Sequence, residues 1–142
     1  MRFFKLQPEV AGGLGARTIM DTTIHPPAVS VLEYEFDGWL GDDLLESFPC
    51  FIVSERLKNL LDENTFTGYA FDSVIISRSE TFDELYPETI LPEFHWLKVE
   101  GKAGIEDVGF SELNHLVVSE SVLKVLLQAN LKNCLTEEYL PQ

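Results

Sequence analysis

The segment Cys50-Phe51-Ile52-Val53-Ser54-Glu55-Arg56-Leu57-Lys58-Asn59-Leu60-Leu61 returns in loose form as His115-Leu116-Val117-Val118-Ser119-Glu120-Ser121-Val122-Leu123-Lys124-Val125-Leu126. At an offset of sixty-five, Val53/Val118, Ser54/Ser119, Glu55/Glu120 and Leu61/Leu126 are identical. Each copy places three apolar, partly β-branched residues before Ser-Glu, then leucines or valines at helical spacing. That order demands a short strand running directly into a helix, with the serine at the junction. A serine oxygen there accepts an orphan N–H of the first turn, and the following Glu sits at the positive end of the helix dipole. The third residue after each serine is Leu57 or Val122, so no reciprocal capping box forms. An activated serine nucleophile needs a base and usually a Gly-flanked strained turn. Neither serine has a flanking glycine, and capping accounts for both.

A length of 142 residues suits one domain, 1–142, holding the unit 50–77 and the related unit 115–138. With 45% hydrophobic residues the chain can bury a core and is not compositionally disordered. Ten Lys+Arg against twenty-four Asp+Glu leave a net charge of −14. That balance disfavours nucleic acid and anionic membranes and favours a basic partner. Cys50 and Cys134 lie too far apart in sequence for a metal pair or a disulfide framework, and read as buried free thiols. The stretch Met1 to Pro8 has no apolar signal-peptide core, and no apolar run reaches spanning length, so the reading is cytoplasmic.

Arg2 to Leu6 reads as a first strand, and Ala11 to Gly15 as a flexible loop whose glycines have the wrong spacing for a dinucleotide or phosphate site. Thr18 to Pro27 continues as loop. Val29 to Phe36 alternates as one strand with an acidic face. Trp39 to Glu46 reads as loop or one helical turn. The first helix runs to about Asn64, and Tyr69 to Ser77 returns as one strand, a β-α-β crossover if both strands share a sheet. Thr81 to Tyr86 is a helical turn, and Glu93 to Val99 a strand with Phe94 and Trp96 on one face. The second unit has a strand over 115–118, a helix over 120–129 and a last strand near Asn133 to Glu138. The expected fold is α+β, a mixed sheet with two main helices on one face.

No two of His25, His95 and His115 stand at metal-ligand spacing, so the sequence predicts no metal, cofactor or catalytic residue. His95, between Phe94 and Trp96, is the histidine best placed for chemistry, but the sequence names no partner for it. Carboxylates are too abundant for any pair to stand out as an acid–base dyad. The clear pattern is charge segregation. From Thr18 to Glu55 there is no Lys or Arg, and from Ser79 to Leu97 there is none again. Acidic groups steer a basic partner and an aromatic anchors in its pocket. The expected partner-binding residues are therefore Glu33, Glu35, Asp37, Trp39, Asp42, Asp43 and Glu46. A solvated acidic face with Trp39 folded inward is the competing reading.

The step Phe51-Ile52-Val53-Ser54-Glu55-Arg56-Leu57, followed by Gly68 and an aromatic-rich strand, resembles small bacterial proteins encoded beside polymorphic toxins. Leu116-Val117-Val118-Ser119-Glu120 is similar to the same step. The resemblance covers about 50–77 and 115–138 and rests on a structural motif. It implies an immunity protein that neutralises a cognate toxin by occlusion. The alternatives are a small hydrolase-type enzyme using His95 with a carboxylate, and a regulatory protein-binding module.

Overall fold

The computed structural model describes residues 1–140. Along the chain run β1 (Phe3–Gln7), β2 (Gly12–Leu14), β3 (Ile19–Asp21), β4 (Ala28–Val31), β5 (Glu33–Phe36), β6 (Leu44–Ser47), β7 (Cys50–Ser54), α1 (Glu55–Asp62), β8 (Tyr69–Asp72), β9 (Ile75–Arg78), α2 (Glu80–Leu85), β10 (Phe94–Val99), β11 (Val108–Phe110), β12 (Leu116–Ser119), α3 (Glu120–Leu126) and β13 (Leu135–Tyr139). The result is an α+β domain. Its strands are shared among two four-stranded sheets, β6-β7-β10-β8 and β11-β12-β1-β13, a three-stranded sheet β2-β5-β9, and a ribbon β3-β4.

Both serines do what their position dictates. Ser54 and Ser119 each end a strand in extended conformation and cap the helix that follows. Ser54 Oγ accepts the Leu57 N–H at 3.2 Å and Ser119 Oγ accepts the Val122 N–H at 3.3 Å. A third Ser-Glu step, Ser79-Glu80, caps α2 through the Phe82 N–H at 3.1 Å.

The two four-stranded sheets are built alike. Phe94 pairs with Ser54 and Leu44 with Val53, while Phe3 pairs with Ser119 and Val108 with Val118. On the far side Leu97 pairs with Phe71 and Leu6 with Thr136. Phe71 and Thr136 stand sixty-five apart, the offset that also separates Ser54 from Ser119. In each unit the strands before and after the main helix run parallel to one another, with an antiparallel strand inserted between them. That inserted strand is β10 in the first unit and β1, from the other end of the chain, in the second.

The units also lock each other reciprocally. Asp43 N–H donates to the backbone O of Asn130, in the loop after α3, at 2.9 Å, and Asp43 Oδ2 accepts the Asn130 N–H at 2.7 Å. Asp107 holds the place in the second unit that Asp43 holds in the first: Ser54 N–H donates to Asp43 O at 2.9 Å and Ser119 N–H to Asp107 O at 2.7 Å. The Asp107 carboxylate takes the N–H of Thr67, in the loop after α1, at 3.0 Å.

The sheet β6-β7-β10-β8 divides the interior. Phe51, Val53 and Leu97 face one core with Leu57 and Leu61 of α1, Val122, Val125 and Leu126 of α3, and Leu6, Leu116 and Val118 of the second sheet. Ile52, Phe94 and Trp96 face the other with Leu32, Tyr34, Phe36 and Phe82. β7 is therefore buried along its whole length. Side chains alternate across a strand, so a central strand apolar on both faces reads as one continuous apolar run.

Several expectations change. The predicted strand 29–36 breaks at Leu32, whose carbonyl accepts the Ile75 N–H, so β4 and β5 enter different sheets. The segment 69–77 divides likewise into β8 and β9. Gly12–Leu14 is a short strand against β5, not a free loop. A Cβ on Gly12 would strike the Glu35 backbone, which is why glycine stands there. Residues 44–47 form β6 rather than a helical turn. α1 and α3 lie against the same core, while α2 anchors Phe82 in the other.

Candidate partner-binding groove

β1 ends at Pro8, which has no N–H for a ladder, and the chain crosses from the second unit to the first. Glu9 bridges to Leu45 there. Its carboxylate is buried and accepts the N–H of Leu40 at 2.7 Å and of Asp42 at 3.2 Å. Burial pushes its pKa up, and the two N–H donors oppose that shift. These bonds shape the turn through Gly41, whose φ of +107° suits glycine. They leave Leu40 73% exposed. Trp39 turns the other way. Its Nε1–H donates to Asp42 O at 2.9 Å and its ring stands edge-on to Phe94 at 6.1 Å.

At this crossing lies a groove of about 620 Å³ between the two units. Leu40, Val10, Phe48, Leu113 and Leu135 border it, each between 44% and 78% exposed. They come from separate loops and from the start of β13. Asn114, at φ 62°, turns the loop that carries Leu113. Glu46 of β6 is half-buried among them. Burial raises its pKa, and its carboxylate has no hydrogen-bond or ion-pair partner among the described residues. No Lys or Arg lines the groove. Gln7, Glu9, Asn114, His115 and Asn133 line it as well. Exposed apolar side chains beside one unpaired carboxylate are complementary to a cationic side chain flanked by apolar ones.

The expected acidic face is reorganised by folding. Glu33 and Glu35 share the outer face of β5, but the loop carrying Gly15 and Arg17 covers Glu33. The Arg17 backbone N–H and guanidinium reach its carboxylate at 2.7 and 3.2 Å. The guanidinium holds Glu33 far below the usual carboxylate range, at about 2. Asp42 and Asp43 are buried at 1% and 6% exposure and do not face solvent. Asp42 accepts the N–H groups of Lys132 and Asn133 at 3.1 and 2.7 Å. Asp43 accepts Ser54 Oγ–H at 2.7 Å and Arg56 at 3.0 Å. The two arginines that bound the basic-free stretch thus fold back onto two of its carboxylates. Glu35 and Asp37 are exposed, Trp39 is half-buried, and only Glu46 of the predicted set lines the groove.

The sequence does not single out the apolar border, because Val10, Leu40, Phe48 and Leu113 stand outside any strand or helix period and Leu135 only opens β13. Their signal is local: Leu40 precedes Gly41, Phe48 precedes Pro49 and Leu113 precedes Asn114. Each is a large apolar side chain on a residue next to a turn former.

Away from the groove, His95 gains neighbours that the sequence did not name. Its Nε2 lies 3.8 Å from Glu55 Oε1 and 3.9 Å from Glu93 Oε1. Both thiols are free. Burial pushes Cys50 up to about 12 and also raises Cys134. Among the described residues no helix is long and apolar enough to cross a membrane. The chain matches no protein-family model and no curated protein.

Proposed function

We propose that the protein is a binding protein of the immunity type, which occludes a basic toxin domain through the groove at the crossing of its two units. The observation that carries this reading is Glu46: a half-buried carboxylate, without an internal partner among the described residues, in a groove that five exposed apolar side chains border. A carboxylate held where burial disfavours its charge gains a partner on binding. The apolar border supplies the desolvated surround that makes a central ionic contact strong. The net charge of −14, with Glu35 and Asp37 exposed, adds long-range attraction for a basic partner. Such a protein acts in the cytoplasm and performs no chemistry.

The test is capture of the C-terminal domain encoded by the neighbouring toxin-like gene, measured as association and dissociation rates. Leu40→Asp and Leu113→Asp should each speed dissociation at least about tenfold, because a charge placed in the apolar border breaks the water-excluding surround of the central contact. Charge-neutral Glu35→Gln should slow association mainly at low salt. Wild-type protein that captures no such domain, or groove variants that bind like wild type, would defeat the reading. Turnover of a small molecule that is lost in His95→Ala would replace it with the enzyme reading, which the approach of His95 to two carboxylates favours.

A further inference from the structure

We propose a second site, independent of the groove: Glu55, Glu93 and His95 bind one divalent transition-metal ion of the zinc class. One donor atom from each residue lies within 4.8 Å of the others. The two distances from His95 Nε2, 3.8 and 3.9 Å, approach the ligand–ligand spacing of about 3.3 Å that zinc at 2.0–2.1 Å from each donor requires. Both Glu side chains are more than half exposed and free to close by that difference. Their backbones are already fixed to one another, because Glu55 N–H donates to Glu93 O at 2.9 Å. One imidazole and two carboxylates form a mixed donor set that suits zinc and its first-row neighbours.

Two further observations point to a cation at this place. First, His95 Nε2 is shut off from solvent and has no hydrogen-bond partner. A buried polar atom without a partner is costly, and a metal ion satisfies a neutral imidazole nitrogen. Second, the other unit shows what belongs at this place. Glu120 is its counterpart of Glu55, and Glu120 N–H donates to Arg2 O as Glu55 N–H does to Glu93 O. Arg2 therefore stands where Glu93 stands, and its guanidinium lies 3.4 Å from Glu120 and 3.1 Å from Glu138. In the first unit a carboxylate replaces that arginine. Among the described residues no Lys or Arg pairs with Glu55 or Glu93. Three protein donors leave a fourth coordination position open, beside a cleft of about 450 Å³ that Glu93 and His95 help to line.

The experiment is calorimetric titration of tag-free protein with zinc chloride, together with the visible spectrum of the Co²⁺-loaded protein and thermal melts. The expected result is one ion per chain, a melting point raised by zinc, and cobalt bands of low-coordinate type. Glu93→Gln, Glu55→Gln and His95→Gln should each weaken binding at least about tenfold, the loss that removal of even an outer partner brings. Glu55 and Glu93 are exposed, so their variants keep the fold even if His95→Gln does not. Glu93→Arg copies the second unit. It should abolish binding and raise the melting point of the metal-free protein. No saturable binding by wild type, or binding that survives Glu93→Gln and Glu55→Gln, would overturn the site. So would His95 ring signals that NMR shows indifferent to zinc.

Discussion

Ser54 carries two loads where Ser119 carries one. Both cap a helix, but Ser54 Oγ–H also donates to the buried Asp43 carboxylate at 2.7 Å. Ser119→Ala should cost about 1 kcal/mol, the usual loss of a cap. Ser54→Ala should cost about 1 kcal/mol more, since a bond to an ionised acceptor goes with it. Asp43→Asn should cost about 2–3 kcal/mol, because Arg56, Ser54 and Asn130 all lose a charged acceptor. Urea denaturation ranks the three, and an Asp43→Asn midpoint equal to wild type would refute the clamp. Two glutamates should bend the pH profile of stability in opposite senses. Glu33 is held down by Arg17, so its contribution is present above 4.5 and is lost as pH falls toward 2. Glu46 is pushed up by burial, so its effect favours the fold below 4.5 and fades as pH rises through its elevated pKa. Glu46→Gln should therefore stabilise the free protein at pH 7 while weakening partner binding. Midpoints measured from pH 2 to 8 check both senses, and a less stable Glu46→Gln at pH 7 would contradict the second.

Among the elements, β7 and α2 stand at opposite ends of the stability scale. β7 is a central strand flanked by β6 and β10 and buried on both faces. α2 is six residues long and is held by one buried side chain, Phe82, which sits edge-on to Phe36 at 6.4 Å under the Arg78 guanidinium at 4.3 Å. A helix that short has no stability without packing. Phe82→Ala should cost about 3–5 kcal/mol. In hydrogen exchange it should release the amides of α2 first, while those of β7 stay the slowest. Equal loss of protection in both elements would show that α2 is not a separate unit of opening.

The two four-stranded sheets with their helices are two copies of one plan, in which the inserted strand of the second copy comes from the start of the chain; the sheet β2-β5-β9, the ribbon β3-β4 and α2 belong to neither copy. Phe3 pairs with Tyr139, so the first and last strands lie side by side. A circular permutant that joins these ends by a short linker and opens the polar loop 102–106 should fold, because it makes β13 and β1 a hairpin and breaks no ladder. Removing residues 1–7 should instead unfold the molecule, since β13 loses the strand it pairs with and β12 loses one of its two neighbours. Circular dichroism of the two variants decides this, and a folded truncation would refute the shared plan. At this scale the surplus of negative charge is uneven in its effect. Folding pairs Arg17 and Arg56 with buried carboxylates and leaves Glu35, Asp37 and Glu46 without an ion-pair partner among the described residues.

The strand–Ser–Glu–helix steps were legible from the chain alone because each rests on neighbours. An apolar run, a cap oxygen and a helical stripe act within a dozen residues. So were β1, β10 and β13, whose alternation or termination is local. The division of 29–36 and of 69–77 between sheets was not legible, because a strand's pattern records which faces are buried and not which strand lies beside it. The expected acidic face is exposed only in part, at Glu35 and Asp37, for a related reason. Carboxylates next to one another in sequence look equally exposed, yet Asp42 and Asp43 are drawn in by the loop after α3, some ninety residues away. Only folding brings Val10, Leu40, Phe48, Leu113 and Leu135 around Glu46, and Glu55 beside Glu93 and His95. Local propensity selects elements, whereas sites are made of residues far apart in the chain, and their meeting depends on the packing of every element between them.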